Sequence, residues 1–115
     1  MLKKKYRLSK KDFETALRKK GTYLKVDFLK FKVIYNNLET SRFGVSCGVK
    51  ISKKAVMRNQ IKRRINESLR LNFSSIRLGF DVLVMPDPIV IEKTYQDIDK
   101  AILEFIKILN TGSSS

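Results

Sequence analysis

Apolar positions along the chain recur at two spacings: every second residue in some stretches, and every third or fourth in others. Alternation predicts strands over residues 23–35, 43–49 and 80–85, which are rich in β-branched and aromatic residues. Because residues 36–41 form a short connection, we expect the first two strands to pair as an antiparallel hairpin. In the first strand, one face carries Leu29, Phe31, Val33 and Tyr35, and the other carries Val26, Phe28, Lys30 and Lys32.

A helix start signal precedes the first strand. Ser9 is placed to cap the helix, Asp12 three residues later completes a capping box, and Leu8 can pack against Phe13. Gly21 is the residue type that often follows the last turn of a helix. We therefore predict a first helix that ends at Gly21.

Two more helices follow from apolar residues at helical spacing. Ser52 is the predicted cap of a helix over about residues 53–71, and Thr94 with Asp97 forms a second capping box at the start of the last helix. The apolar stripe of the second helix is Met57, Ile61, Ile65 and Leu69, and that of the third is Ile98, Ala101, Ile102, Phe105 and Leu109. We expect residues 1–110 to form a single domain and residues 111–115 a flexible tail.

The composition disfavours catalysis by the protein's own side chains. The 115 residues suffice for one domain, and 43% of them are hydrophobic, so the chain can bury a core. It has no histidine and a single cysteine, Cys47, which together exclude an internal disulfide and the usual zinc clusters. We therefore expect no catalytic residue and no metal ligand in the protein. Without a signal-like or membrane-spanning apolar segment, we expect a cytoplasmic location.

The positive charge is concentrated in two stretches. The net charge is +14, from 25 basic and 11 acidic residues. Residues 1–20 hold nine basic and two acidic side chains, and residues 50–70 hold eight basic and one acidic. A protein that needed charge only for solubility would spread it and mix the signs. The pattern therefore predicts a polyanionic partner.

The second helix is the main candidate for that contact. Beside its apolar stripe lies an arc of basic and amide side chains, and Glu67 is the only acid within residues 50–70. Arginine and asparagine offer the paired donors that phosphates and base edges accept. The predicted nucleic-acid contacts are Lys53, Lys54, Arg58, Asn59, Lys62, Arg63, Asn66 and Arg70, with Lys3, Lys4, Lys5 and Arg7 at the N-terminus.

The same helix carries a family resemblance. The run Arg58-Asn59-Gln60-Ile61-Lys62-Arg63-Arg64-Ile65-Asn66-Glu67, preceded by Ser52-Lys53-Lys54-Ala55-Val56-Met57, resembles the Arg-Asn-Arg signature of the bacterial ribonuclease P protein component. Asp12-Phe13, Gly21 and Gly44-Val45-Ser46 also fit that family, over nearly the whole chain. Gln60 and Asn66 depart from it, because the family usually has arginine at both positions.

The resemblance implies a fold and a function. The fold is an α+β two-layer sandwich of order αβββαβα, with a mixed sheet and a left-handed crossover through the basic helix. The function is that of a subunit of ribonuclease P, in which a large RNA with bound Mg²⁺ removes the 5′ leader of precursor tRNA. The basic helix would lie against that RNA, and a cleft between the first helix and the sheet would hold the leader.

Aromatic side chains beside positive charge are typical platforms for single-stranded RNA. The predicted leader contacts are Phe13, Leu17, Phe28, Phe31 and Lys30, with the three phenylalanines as the candidate rings. Alternation favours Phe28, on the face with Lys30, whereas the resemblance favours Phe31 together with Phe13. Leu17, one turn after Phe13, stands where the family often has a second aromatic.

Two other functions remain open from the residues alone. A ribosomal or RNA-chaperone module with no enzyme attached would carry the same basic helix. A DNA-binding helix is the third possibility.

Overall fold

The computed structural model describes residues 3–111, and its elements follow the predicted order αβββαβα. The helices and strands are α1 (Lys10–Arg18), β1 (Thr22–Val26), β2 (Leu29–Tyr35), β3 (Arg42–Val45), α2 (Ala55–Leu71), β4 (Phe80–Pro86) and α3 (Tyr95–Thr111). Short 3-10 turns cover Lys4–Tyr6, Phe73–Ser75 and Pro88–Glu92. The tail predicted for residues 111–115 overlaps α3 at Thr111, and its remaining residues, 112–115, lie outside the described part of the chain.

The four strands form one mixed sheet in the order β1-β2-β4-β3. β2 is antiparallel to both of its neighbours, whereas β3 and β4 are parallel. The α+β class with a mixed sheet is therefore confirmed, and α2 is the crossover between parallel strands; its left-handedness stays a prediction. The predicted pairing of the first two strands is wrong, because β4 lies between β2 and β3. The fully buried run Val82-Leu83-Val84 explains the central position of β4.

The single strand predicted over residues 23–35 is in fact a hairpin. Asp27 has a positive φ of 53°, and Val26 pairs directly with Leu29, so the chain reverses at residues 27 and 28. The reversal places Leu24 and Val26 on the same side of the sheet as Leu29. The next predicted strand is also shorter than expected, since β3 ends at Val45 and not at residue 49.

Helices cover both faces of the sheet. α2 and α3 pack on one face, where Phe31 of β2 stacks on Phe105 of α3 with ring centroids 3.9 Å apart. On the other face α1 contributes Ala16 to a smaller core with Ile34 and Leu83. Because side chains of β4 alternate between the two cores, the helices on both faces of the sheet pack against the same central strand.

The predicted capping signals have mixed outcomes. Ser9 caps α1 by accepting a hydrogen bond from the Asp12 N–H at 3.1 Å. Thr94 and Asp97 cap α3 reciprocally, at 3.1 and 3.0 Å, and these hydrogen bonds hold the pKa of Asp97 below its usual value. Ser52 is not the α2 cap, because the helix begins two residues later, after Lys54. The Ser52 hydroxyl instead accepts a hydrogen bond from the Lys54 N–H at 3.1 Å.

Gly21 has a different role from the one predicted. α1 ends at Arg18 with Lys19 as its C-cap, so Gly21 does not end the helix. A Cβ atom at Gly21 would lie 2.7 Å from the carbonyl oxygen of Val33 and 2.8 Å from the side chain of Ile34. Glycine is needed here because the chain approaches β2 closely on its way from α1 to β1.

An ion-pair network around the buried Asp81 ties α1 to the sheet. Asp81 of β4 is 5% exposed and accepts two hydrogen bonds from Arg42 of β3, at 2.9 and 2.8 Å, and one from Asn36. Arg42 also contacts Asp12 of α1 at 3.3 Å. The hydrogen bonds that Arg42 donates to Asp81 raise the pKa of Arg42, so the guanidinium stays charged. One side chain therefore joins β3, β4 and α1.

We expect Asp81→Asn to lower the free energy of unfolding by about 2 kcal/mol, because it removes the charge that pairs with Arg42 while it keeps the shape of the side chain. Urea unfolding followed by circular dichroism measures the loss. Asp87→Asn is the control: Asp87 pairs with Lys25 at 3.2 Å, both side chains are exposed, and the loss should stay below about 1 kcal/mol. Equal losses in the two variants would contradict the role of the buried pair.

Candidate nucleic-acid interface

The basic arc of α2 is exposed as the helical spacing predicts. Ile61, Ile65 and Leu69 are buried against the sheet, while Met57 is half-buried at the start of the stripe. On the neighbouring side, Asn59, Lys62, Arg63 and Arg70 are exposed, and Arg58 and Asn66 are half-buried. Lys53 and Lys54 lie exposed in the segment before the helix.

The basic side chains of this arc differ in the hydrogen bonds and ion pairs that they form within the protein. Arg58 donates to the carbonyl of Ser52 at 2.8 Å and so braces the segment before α2. Arg70 forms two hydrogen bonds with Glu67, at 3.0 and 2.7 Å. That contact lowers the pKa of Glu67 to about 2, so the pair stays ionised. Within residues 3–111, Lys62 and Arg63 have no ion pair or hydrogen bond, which leaves their charges available to a ligand.

A groove of about 570 Å³ opens between α1 and the basic arc. We call it the α1 groove; it is lined by Arg7, Leu8, Ser9, Lys10, Phe13, Glu14 and Leu17 on one side and by Phe43, Gly44, Val45, Ser46, Lys62 and Asn66 on the other. Lys62 and Asn66 belong both to the basic arc and to this groove. The two sites that the sequence suggested separately therefore meet on α2.

Two aromatic residues line the groove: Phe43, which is buried, and Phe13, which is half-buried. Phe13 lies directly on β3, where a Cβ atom at Gly44 would be 2.5 Å from one of its ring carbons. Leu17, one turn further along α1, is 45% exposed at the groove wall. An apolar side chain exposed to this extent beside cations can contact a base.

The other two phenylalanines predicted for the leader site are core residues. Phe31 is 0% exposed and stacks on Phe105, so its ring cannot meet RNA. Phe28 is 7% exposed, because the reversal at Asp27 turns it inward from the face that continuous alternation assigns to it. The ammonium of Lys93 lies 5.5 Å from its ring centroid.

Lys30 is exposed, but it lies on the open part of the sheet and outside the α1 groove. Its neighbour Lys32 is 3% exposed and donates to the carbonyl of Leu17, at the C-terminal end of α1, at 2.9 Å. That end of a helix favours a positive charge. Lys32 is therefore a structural contact between α1 and β2.

Of the four N-terminal basic residues, only Arg7 lines the α1 groove. The chain is fixed there because Leu8 donates its N–H to the carbonyl of Phe43 at 2.8 Å. Lys3, Lys4 and Lys5 are exposed outside the groove, beside Tyr6, whose ring packs on Phe73 at 4.2 Å.

Sequence reasoning missed several groove residues. Lys10, Glu14 and Ser46 were not singled out, although Lys10 and Glu14 lie on the same side of α1 as Phe13 and Leu17 at helical spacing. That spacing is a signal that could have identified them. Cys47 is half-buried against the core, and burial raises the pKa of its thiol.

The described residues offer no protein metal site. Among residues 3–111 no three acidic, cysteine or histidine side chains cluster closely enough to hold an ion, and Glu14 is the only carboxylate that lines the α1 groove. No helix in this part of the chain is both long and apolar enough to cross a bilayer.

We expect Gly44→Ala to lower the free energy of unfolding by about 1 to 3 kcal/mol, because the added methyl group overlaps the ring of Phe13 and must displace it. Thermal unfolding measures the loss. Gly48→Ala provides a matched control, since a Cβ atom at Gly48 has no atom within 4 Å and should leave stability nearly unchanged. Equal stability of the two variants would show that Phe13 does not lie on β3 as described.

Comparison with known proteins places this chain in a family. The family model for ribonuclease P matches residues 2–110. The ribonuclease P protein component of Clostridium kluyveri is 33% identical over 104 residues, which is 89% of this chain and 92% of that protein. A Staphylococcus aureus RNase P protein mutant has a similar structure, with a TM-score of 0.80 and 29% identity over 91% of this chain and 88% of that one. The Thermotoga maritima RNase P protein gives a TM-score of 0.75 and 27% identity over 84% and 89%.

These relatives do not favour the ribosomal, RNA-chaperone or DNA-binding alternatives. The family model covers almost the full length of the chain, and the solved RNase P proteins share its fold. The chain belongs to the bacterial ribonuclease P protein component family and is a subunit of that tRNA-processing nuclease.

Proposed function

We propose that the basic arc of α2 binds the ribonuclease P RNA while the α1 groove binds the 5′ leader of precursor tRNA. The observation that carries the proposal is the position of Lys62 and Asn66, which belong to the arc and also line the groove. A single helix can therefore contact both RNAs. Such an arrangement would hold the leader at a fixed distance from the RNA that cuts it.

The groove has the chemistry that an unpaired RNA segment requires. Phe13 and Leu17 provide apolar contact for bases, and Lys62 and Arg7 place positive charge on its two sides for phosphates. Asn66 adds an amide that can donate to a base edge or accept from one. The volume of about 570 Å³ lies within the range of small-molecule sites, so the groove has room for nucleotides of the leader.

We further propose that Mg²⁺ is bound mainly by the ribonuclease P RNA and supplies the charge stabilisation for phosphodiester cleavage. The groove's one carboxylate, Glu14, does not fit a site for that ion. This chain would contribute binding: it holds the leader, orients it and screens the repulsion between two RNA strands.

The groove is tested by Leu17→Ala. With the protein assembled on a ribonuclease P RNA, we expect the affinity for precursor tRNA to fall about fivefold, because one apolar contact to a base is lost. Leu103→Ala is the matched control, since Leu103 on α3 is 46% exposed and lies outside the groove. Binding to mature tRNA, which lacks the leader, should be the same for both variants. Equal affinity of the two variants for precursor tRNA would contradict the groove assignment.

The basic arc is tested through the salt dependence of binding to the ribonuclease P RNA. We expect Lys62→Gln and Arg63→Gln each to reduce the slope of log affinity against log salt concentration by up to about 0.9, because each removes one phosphate contact. Filter binding at several salt concentrations gives the slope. Lys107→Gln, an exposed lysine of α3, is the control and should leave the slope unchanged. Slopes that match the unaltered protein in all three variants would exclude these phosphate contacts.

The assembly itself is tested by cleavage. At low Mg²⁺ concentration, adding this protein to a ribonuclease P RNA should restore removal of the 5′ leader from precursor tRNA. No stimulation at any protein concentration would refute the proposed division of work between protein and RNA.

A further inference from the structure

A second exposed surface lies on the α1 side of the sheet, beyond the part that α1 covers. Tyr23 of β1 pairs with Lys32 of β2, and Lys25 pairs with Lys30. Because Tyr23 is 54% exposed and Lys30 is also exposed, an aromatic ring and a cation lie side by side in solvent. We call Tyr23 and Lys30 the Tyr23 platform.

Two ammonium groups lie over the Tyr23 ring. The Nζ atom of Lys30 is 4.8 Å from the ring centroid and that of Lys32 is 5.5 Å away. Lys32 is buried and already donates to the carbonyl of Leu17, so Lys30 is the cation that a ligand can reach. Lys25 lies nearby but pairs with Asp87 at 3.2 Å, and it adds little net charge.

The Tyr23 platform continues from the α1 groove. Leu17 lines the groove, its carbonyl accepts the hydrogen bond from Lys32, and the Lys32 ammonium lies over the Tyr23 ring. One side chain therefore connects the end of the groove to the platform. Three exposed basic residues, numbers 18–20, follow Leu17 directly, and none of them has an ion pair within residues 3–111.

An exposed ring next to a cation is the arrangement that holds single-stranded nucleic acid, with the base on the ring and the phosphate at the cation. The chemistry favours RNA over a protein ligand, because this surface and its surroundings are strongly basic. We propose that the Tyr23 platform binds one nucleotide of a precursor tRNA leader that is long enough to extend beyond the α1 groove. This inference rests on the proposed function of the groove.

Leader length distinguishes the platform from the groove. Dissociation constants are measured for the protein assembled with ribonuclease P RNA. Three substrates are compared: tRNA without a leader, precursor tRNA with a leader of about four nucleotides, and precursor tRNA with a leader of about ten. Tyr23→Ala should weaken binding of the longest leader about fivefold and leave the other two unchanged. Tyr23→Phe should bind like the unaltered protein, since stacking needs the ring and not the hydroxyl. Lys30→Gln should lower the salt slope by about 0.7, for the longest leader only.

Tyr35→Ala is the matched control. Tyr35 is 68% exposed at the other end of β2 and contacts Phe80 at a centroid distance of 6.0 Å. No lysine within residues 3–111 lies over its ring. Its loss should leave all three dissociation constants unchanged. Circular dichroism and thermal unfolding of each variant separate a folding defect from a binding defect.

The outcomes separate the platform from the groove. The platform is refuted if Tyr23→Ala changes no dissociation constant. It is also refuted if Tyr23→Ala weakens binding of the leaderless substrate as much as binding of the substrate with the longest leader. If Leu17→Ala still weakens both leader-bearing substrates in that case, the groove assignment stands on its own. If instead Leu17→Ala has no effect while Tyr23→Ala selectively weakens the longest leader, the platform stands and the groove assignment fails.

Discussion

The burial of β4 on both faces is the constraint on which the rest of this structure depends. Val82 and Val84 face α2 and α3, and Leu83 faces α1, so helices are required on both sides of one strand. α1 and α2 then lie on opposite faces of the sheet and approach each other past the edge strand β3. The α1 groove forms where they approach, which explains how Phe13 and Lys62 come to line one site although they are far apart in sequence.

The helices could be predicted from sequence because caps mark the starts of α1 and α3 and apolar stripes at helical spacing mark α2 and α3. The pairing of strands could not, since alternation gives the faces of a strand but not its neighbours. A signal for the first hairpin was present: the apolar positions fall on Leu24 and Val26 and then on Leu29 and Phe31, a change from even to odd positions. Asp27-Phe28 is not a common hairpin turn sequence, so the change of parity was the clearest local sign of the reversal.

The basic arc was predictable for a similar reason, while its internal contacts were not. Helical spacing places Lys62 and Arg63 in solvent regardless of the fold around them. The bond from Arg58 to the Ser52 carbonyl depends on the path of the chain before α2, which periodicity does not describe. The prediction of Phe28 and Phe31 as leader contacts was wrong for the same reason. Their burial follows from the hairpin and from the packing of α3, which periodicity does not describe.

The backbone contact between Leu8 and Phe43 also affects how separate molecules of this protein meet. β3 is an edge strand, and edge strands offer unpaired N–H and C=O groups to any extended chain nearby. The segment at Arg7 and Leu8 already occupies that position beside β3. A strand from another copy would have to displace this segment, so intermolecular sheet growth is hindered at the β3 side of the sheet.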